Sequence, residues 1–283
     1  MKKFIKKIIS YIFLKLPSNK FFDKFIGYIN FYRGHFRLPS REHLLNDVFF
    51  HIKISNKITD PLRVFTSDKH LVKIFIQSVA GNEYNVPTIQ VLNSIDEIDS
   101  FCFPESCCIK PTHASGLYII RKDNAYVDLN EIKTWLEVDY HRVSRERNYK
   151  DLIPKIIVEP LIYNSSNIED YKFFCSNGEP KFIQVDSDRS ENHTRCFFDP
   201  SWKKLNFSIA YPITEHDVKR PACLDEMLTI SKKIASFFDY VRVDFYTDGS
   251  TCMIGEITHC PESSNGRFIP LESEIDASNL FFS

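Results

Sequence analysis

Two periods of apolar spacing run along this chain, and their order lays out the elements. Residues 1–65 carry apolar positions at helical spacing with few strand signals, and aromatic residues are dense in the run 19–39. VFTSDKHLVKIFIQSVAG, 64–81, predicts a helix with Ser67 as N-cap and Gly81 as its stop. A strand at 88–92 and a helix at 94–101 follow. In CCIKPTHASGLYIIRKD, 107–123, two short apolar runs flank PTHASG, which predicts a hairpin with Lys110 at the end of its first strand. Next come a helix over 130–140, a buried strand over 154–162, and a hairpin over 170–188 turning at Asn177-Gly178. An amphipathic helix over 223–238 leads into paired strands at 240–246 and 251–258. Antiparallel hairpins interleaved with helices give an α+β fold.

Composition adds scale. With 283 residues, 43% hydrophobic and 14% aromatic, the chain can fill a sizeable core and divide into two lobes or more. A net charge of −1, without a basic stripe or a recognised motif, gives no case for nucleic acid. The first twenty residues nevertheless hold six lysines and no acid. On a helix Phe4, Ile5, Ile8, Ile9, Ile12 and Leu16 would form one face, and Lys3, Lys6, Lys7 and Ser10 the other. Two readings stand: peripheral membrane contact through residues 1–16, or packing of the apolar face onto the domain. Lysines interrupt the apolar run and Pro17-Ser18-Asn19 is a poor cleavage site, which argues against a signal peptide. No later run approaches eighteen apolar residues, so no spanning segment is expected. The eight cysteines contain no C-x-x-C pair and sit mostly in apolar strands, as reduced thiols of a cytoplasmic protein would.

Only eight glycines occur, and neither G-x-G-x-x-G nor G-x-x-x-x-G-K-[ST] is present. A phosphate site must then use side-chain cations and a shorter loop, which Lys110 and the amides of residues 113–116 could supply. In YVRVDFYTDGSTCMIGEITHCPESS, Asp244 and Glu256 are candidate Mg²⁺ ligands, and register decides whether they cooperate. A hairpin centred on Ser250 sets Asp244 opposite Glu256 and Arg242 opposite Thr258. A two-residue turn at Asp248-Gly249 puts the carboxylates on opposite faces. The apolar alternation Val241, Val243, Phe245 leaves Arg242, Asp244 and Tyr246 on a face of their own, either a site wall or a solvated face with a salt bridge. Glu159 ends an apolar run where an uncompensated charge is costly, and edge main chain after Val158 could pair with a purine. Asp170 and Lys172 share a strand face, and DSDRSENHTR adds Asp186, Asp188, Arg189, His193 and Arg195 as a polar wall or a solvated loop.

The order TSDK, CCIKPTHASG, VEPLI, DYKFF, RVDF and GEIT resembles the ATP-grasp superfamily, and most closely the TupA-like ATP-grasp family associated with bacterial surface-polymer biosynthesis. It runs from about residue 66 to 261. The resemblance implies two α+β lobes with nucleotide between them: a helical region 1–65, a first lobe 66–158 with the phosphate loop, and a second lobe 159–283 with the metal site. It implies ATP and Mg²⁺ as cofactors. Lys69 and Lys110 resemble the phosphate lysines, and His113, Ser115 and Gly116 the mobile loop. Glu159 and Leu161 resemble the adenine hinge, with Asp170 also on the nucleotide. Asp244, Glu256 and Thr258 stand where the metal ligands do, although superfamily members commonly carry asparagine at the position of Thr258. Arg242, with Lys172 and Arg189, is the implied catalytic set; Asp186, Asp188, His193 and Arg195 would face substrate. PESSNG is looser than the glycine-rich loop expected there, and a full α/β domain before the grasp is missing.

The implied activity is carboxylate–amine ligation through an acyl phosphate, joining small-molecule or glycan-linked substrates, such as an amino acid and a uronic acid of a bacterial surface polysaccharide. The implied location is the cytoplasm, at the inner face of the membrane. A kinase of a small sugar-like substrate and a non-catalytic glycan-binding protein with a degenerate nucleotide site are the rival readings.

Overall fold

Asn19 starts a sixteen-residue helix because its side chain accepts from the amides of Phe21 and Phe22, which the helix itself leaves unpaired. That helix is α1 (Lys20–His35), and it ends at Phe36 in a left-handed cap. The computed structural model describes residues 13–40, 44–164, 170–187, 193–214 and 217–283. Helices α2 (Leu45–Ile54) and α3 (Pro61–Ser67) follow, the second opened by Asp60 and a proline in its first turn.

The helix expected over 64–81 is two. After α3 the chain breaks at Asp68, and α4 runs Leu71–Val79. The cap is Asp68 rather than Ser67: its Oδ1 accepts from the amides of His70 (2.7 Å) and Leu71 (3.0 Å), while Ser67 bonds back to the Arg63 carbonyl. Lys69 thereby sits in the joint between helices instead of inside one. Helices α5 (Ile95–Ser100), α6 (Leu129–Trp135) and α7 (Tyr140–Ser144) come later in the same half. The single helix expected over 130–140 stops at Trp135, and a second begins at Tyr140 behind its own cap, Asp139.

Strands β1 (Gln90–Leu92), β2 (Cys107–Pro111), β3 (Ile119–Arg121) and β4 (Ile156–Pro160) make a four-stranded antiparallel sheet in the order β1-β4-β2-β3. The expected hairpin is β2–β3, and Lys110 lies near the end of its first strand. Strands β5 (Asp170–Ser176), β6 (Glu179–Ser187), β7 (Thr194–Phe198) and β8 (Lys204–Leu205), with β10 (Tyr240–Thr247) and β11 (Cys252–Thr258), make a six-stranded sheet ordered β11-β10-β5-β6-β7-β8. A small pair, β9 (Ser208–Ile209) and β12 (Phe268–Ile269), lies beside it. The β5–β6 turn has Asn177 and Gly178 at φ 50° and 83°, the left-handed pair that a two-residue hairpin turn requires.

The larger sheet is covered on both faces. On one, Phe173, Ile183, Val185, Val241, Val243 and Phe245 pack with α4 and with α8 (Leu224–Ala235) through Leu224, Met227 and Ile230. On the other, Phe174, Phe182 and Phe197 meet Leu45, Phe49 and Ile52 of α2 and Phe281 of α9 (Ser273–Phe282). Helix α2 therefore shares a core with the six-stranded sheet. The four-stranded sheet has a core of its own, built on Leu92, Ile98, Ile109, Ile132, Trp135 and Val158. All eight cysteines are free thiols, six of them buried.

Candidate active site

The face of the six-stranded sheet that carries Phe174 and Phe182 turns polar toward one end, because side chains two apart along a strand share a face. Three lateral rows result. Thr258, Arg242 and Phe174 form the first; Glu256, Asp244, Lys172 and Gln184 the second; Tyr246, Asp170, Asp186 and Arg195 the third. Asp244 does face Glu256, so of the two registers open from sequence, the one that brings the carboxylates together is present. It is reached differently, however: a four-residue turn closes at Thr247 and Cys252, and the register slips by one between Asp244 and Phe245. Gly255 occupies the slip. A Cβ there would lie 2.5 Å from the Tyr246 ring, so only glycine lets that ring lie across the strand.

Electrostatics ties the rows together. Arg242 grips Asp244 with both ends of its guanidinium, Nε to Oδ1 at 2.7 Å and Nη2 to Oδ2 at 2.6 Å. Lys172 Nζ sits 2.8 Å from Asp170 and 3.1 Å from Asp244. Burial opposes charge on Asp244, yet Arg242 and Lys172 hold its pKa down at about 2. Arg242 Nη2 also reaches Thr258 Oγ1 at 3.1 Å and Glu256 at 3.4 Å, and the Glu256 carboxylate opens at the rim with its side chain 35% exposed. Farther along, Asp186 accepts from Arg195 Nε (2.6 Å) and Gln184 Nε2 (2.9 Å), with His193 Nε2 at 3.4 Å. Arg195 stacks over Tyr211 and pairs with Glu262 at 2.7 Å.

The first lobe contributes cations. Lys110 Nζ lies 2.6 Å from one Glu159 oxygen, and Lys73 Nζ lies 2.5 Å from the other. Burial works against charge on Lys110, but Glu159 leaves its pKa raised; burial likewise opposes charge on Glu159, and Lys110 and Lys73 hold its pKa below the usual value. One carboxylate cannot balance two ammonium groups, and burial lowers Lys73. Glu159 is thus an anion held by two lysines. Strand β4 lies inside its sheet, and the β1 pairing stops at Val158, so open main chain begins only after that residue, toward Leu161. Lys69 donates to the Ala114 carbonyl of the 112–116 loop, and burial lowers its pKa; Glu256, from the other lobe, is the acid that acts on it most.

The loop residues divide. Gly116 is exposed at φ 80° with open space around it. Ser115 contacts the Tyr140 hydroxyl, whereas His113 is buried, with its ring against a cavity of about 230 Å³ lined by Tyr140, Tyr149 and Leu152. Burial, and next Lys69, lower the His113 pKa, which keeps it neutral. Asp188 and Arg189 lie outside the described residues. Residues that the sequence reading passed over include Lys73, Gln184 and Glu262. Lys73 was findable, because it stands four positions from Lys69 at helical spacing; Glu262 was not, because its pairing with Arg195 needs the turn that follows β11.

That turn is itself unusual. Glu262, Ser263 and Ser264 all have positive φ, 50° to 61°, at about 1–2 kcal/mol each for a residue with a side chain. Helix α2 holds it through Lys53, whose Nζ donates to Ser263 Oγ at 2.9 Å. Ser263 Oγ in turn donates to Glu146, whose pKa burial raises. His35 of α1 bonds the Ser264 carbonyl.

A smaller antiparallel sheet bearing clustered lysines and a larger one bearing opposed carboxylates are the parts of an ATP-grasp protein. The chain belongs to the TupA-like ATP-grasp family, which it matches over residues 51–278. No curated protein matches it. Among solved structures it is similar to D-alanine–D-alanine ligase from Helicobacter pylori, at 14% identity and TM-score 0.41, covering 78% of this chain and 59% of that one. The ATP complex of the same enzyme from Bacillus anthracis gives 18% identity and TM-score 0.42, covering 76% and 61%. L-amino acid ligase from Bacillus licheniformis gives 11% and 0.47, covering 85% and 55%. The chain thus spans less than two thirds of each of these three chains.

Proposed function

We propose that this protein is an ATP-dependent carboxylate–amine ligase, with its nucleotide between the two sheets. The observation that carries the reading is the electrostatic coupling of Lys69, beside Lys110 in one lobe, to Glu256 of the opposed Asp244–Glu256 pair in the other. Among the formal charges of the site, the first lobe offers Lys69, Lys73 and Lys110 against Glu159, which is a site for polyphosphate. The second offers more carboxylates than cations, which is a site for a divalent ion.

Among the described residues no three His, Cys, Asp or Glu groups stand together as a metal site. Two carboxylates suit Mg²⁺, which takes one or two from the protein and the rest from phosphate and water. Asp244 and Glu256 would hold it, and Thr258, with its hydroxyl 3.2 Å from Glu256, would orient that carboxylate. Bound there, Mg²⁺ would draw charge from the phosphate oxygens. Arg242 lies between the two carboxylates and would neutralise the transferring phosphoryl group, while Lys172 fixes Asp244. In the reaction a substrate carboxylate oxygen bonds to the γ-phosphorus as ADP leaves. The amine then bonds to the acyl carbon, phosphate leaves with the carboxylate oxygen, and the amine loses a proton. Arg195 and His193, beside the mouth of the sheet, are the candidate holders of the substrate carboxylate. The amine and carboxylate we favour are an amino acid and a uronic acid of a surface glycan, and the favoured location is the cytoplasmic side of the membrane.

The test is ADP and phosphate release with ATP, Mg²⁺ and paired amino acids and uronic acids, alongside ATP titration of Lys110→Ala and Glu256→Gln. Removing either charged group from the nucleotide should cost about 1.5–3 kcal/mol, at least tenfold in affinity. ADP without free phosphate would identify a kinase instead; wild-type protein that binds no ATP would overturn the nucleotide reading.

A further inference from the structure

Helix α1 shows solvent a stripe of aromatic rings. Phe21, Phe25, Tyr28 and Tyr32 follow one another at spacings of four, three and four, and are 71%, 49%, 39% and 52% exposed; Phe36, at the cap, continues the line at 71%. The spacing places them along one side of a helix about 24 Å long. This is not the inner face of a helix pulled loose. The opposite side is fastened: Ile26 and Phe31 are buried, Asp23 is held by Arg145 (3.2 Å) and His141 (3.0 Å), and His35 bonds Ser264. The sequence of this part of the chain is basic. The first forty residues contain seven lysines and two arginines against a single acid, Asp23, and that acid is buried. Lys20 and Lys24 lie on α1 itself, and the basic segment that precedes it continues the pattern.

We propose that α1 is a docking surface for an anionic lipid bilayer, lying in the interface plane with Phe21, Phe25, Tyr28, Tyr32 and Phe36 among the headgroups. The chemistry favours lipid over a protein partner. Phenylalanine and tyrosine mixed on one stripe suit the boundary between acyl chains and headgroups, and Lys20 and Lys24 on the same helix suit its negative potential. A helix of this length and polarity lies on a membrane, and among the described residues no helix is long and apolar enough to cross one. Because α1 is fastened to the turn after β11, such docking gives the charged cleft a fixed orientation to the bilayer.

The experiment is sedimentation of the full chain with vesicles of phosphatidylcholine containing phosphatidylglycerol, against vesicles of phosphatidylcholine alone. Binding is expected to the anionic vesicles only, and to weaken with salt. A triple variant, Phe21→Ser, Phe25→Ser and Tyr32→Ser, should lower the partition coefficient at least tenfold with thermal unfolding unchanged, since all three positions are exposed. Wild-type protein that pellets with neither vesicle, or a variant that pellets as the wild type does, overturns the proposal. So does a wild-type dimer that the variant alone breaks, which would place a second copy of the chain on the stripe.

Discussion

Glu159 has an ammonium group on each of its oxygens, and that arrangement has measurable consequences. The ion set is buried, so breaking it strands charge where water cannot reach. Glu159→Gln should therefore destabilise the fold by about 3–5 kcal/mol at neutral pH, read from urea unfolding. The pH dependence follows from the direction of the shift. Glu159 is held below its ordinary value of 4.5, so its contribution is complete above that value and is lost as pH falls through the folded-state pKa. The gap in stability between wild type and variant should accordingly narrow below about pH 4.5, and a constant gap across the acid range would show that Glu159 does not titrate against Lys110 and Lys73. At this scale the sequence was half legible. A glutamate closing the run IIVEP signals a compensated charge, but the compensating groups come from a distant strand and helix. Nothing in the local pattern says that two lysines converge on it. It was equally silent on His113, which turns into a cavity although its neighbours Ser115 and Gly116 do not.

Among the elements, the β10–β11 hairpin shows what pattern resolves and what it leaves. The alternation of Val241, Val243 and Phe245 made the site face readable, because inward apolar residues force the others outward. The slip in register was not readable: a lone glycine in a strand marks a bulge only when it is known what crosses it, and here that is the Tyr246 ring. Gly255→Ala puts the bulge to the test. A methyl group 2.5 Å from the ring must displace it or erase the bulge, at a cost of about 1–3 kcal/mol. If the bulge goes, Glu256 leaves the face of Asp244, and Mg²⁺-dependent nucleotide binding should fall well beyond what the stability loss explains. A variant with reduced stability and intact binding would show that the register does not depend on Gly255. The break between α3 and α4 teaches a similar lesson. Ser67 and Asp68 both suit a cap by type, and the choice fell to Asp68 because its second oxygen also meets Thr112 Oγ1 and Lys155, groups from the ends of two strands, β2 and β4.

At the scale of the whole molecule, the division of charge between lobes is the feature that binding has to use. In the structure many of these groups are already paired, Arg242 with Asp244, Lys172 with Asp170, Lys110 with Glu159, so each lobe is organised before a ligand arrives. Glu256 is a carboxylate that stays open to the rim beside Arg242, and Lys69 is the first-lobe cation on which its charge acts. A nucleotide with its metal would join those two groups and, through them, the two sheets. Hydrogen exchange distinguishes this from binding to one lobe. With MgATP, amides of residues 112–116 and of 252–258 should slow together; at about a hundredfold excess over Kd the stabilisation should approach 2.7 kcal/mol. Glu256→Gln should keep the slowing at 112–116, where Lys69 and Lys110 still meet phosphate, and lose it at 252–258. Protection confined to one sheet in the wild type would mean that the nucleotide sits on a single lobe, and the opposed carboxylates would then need another partner.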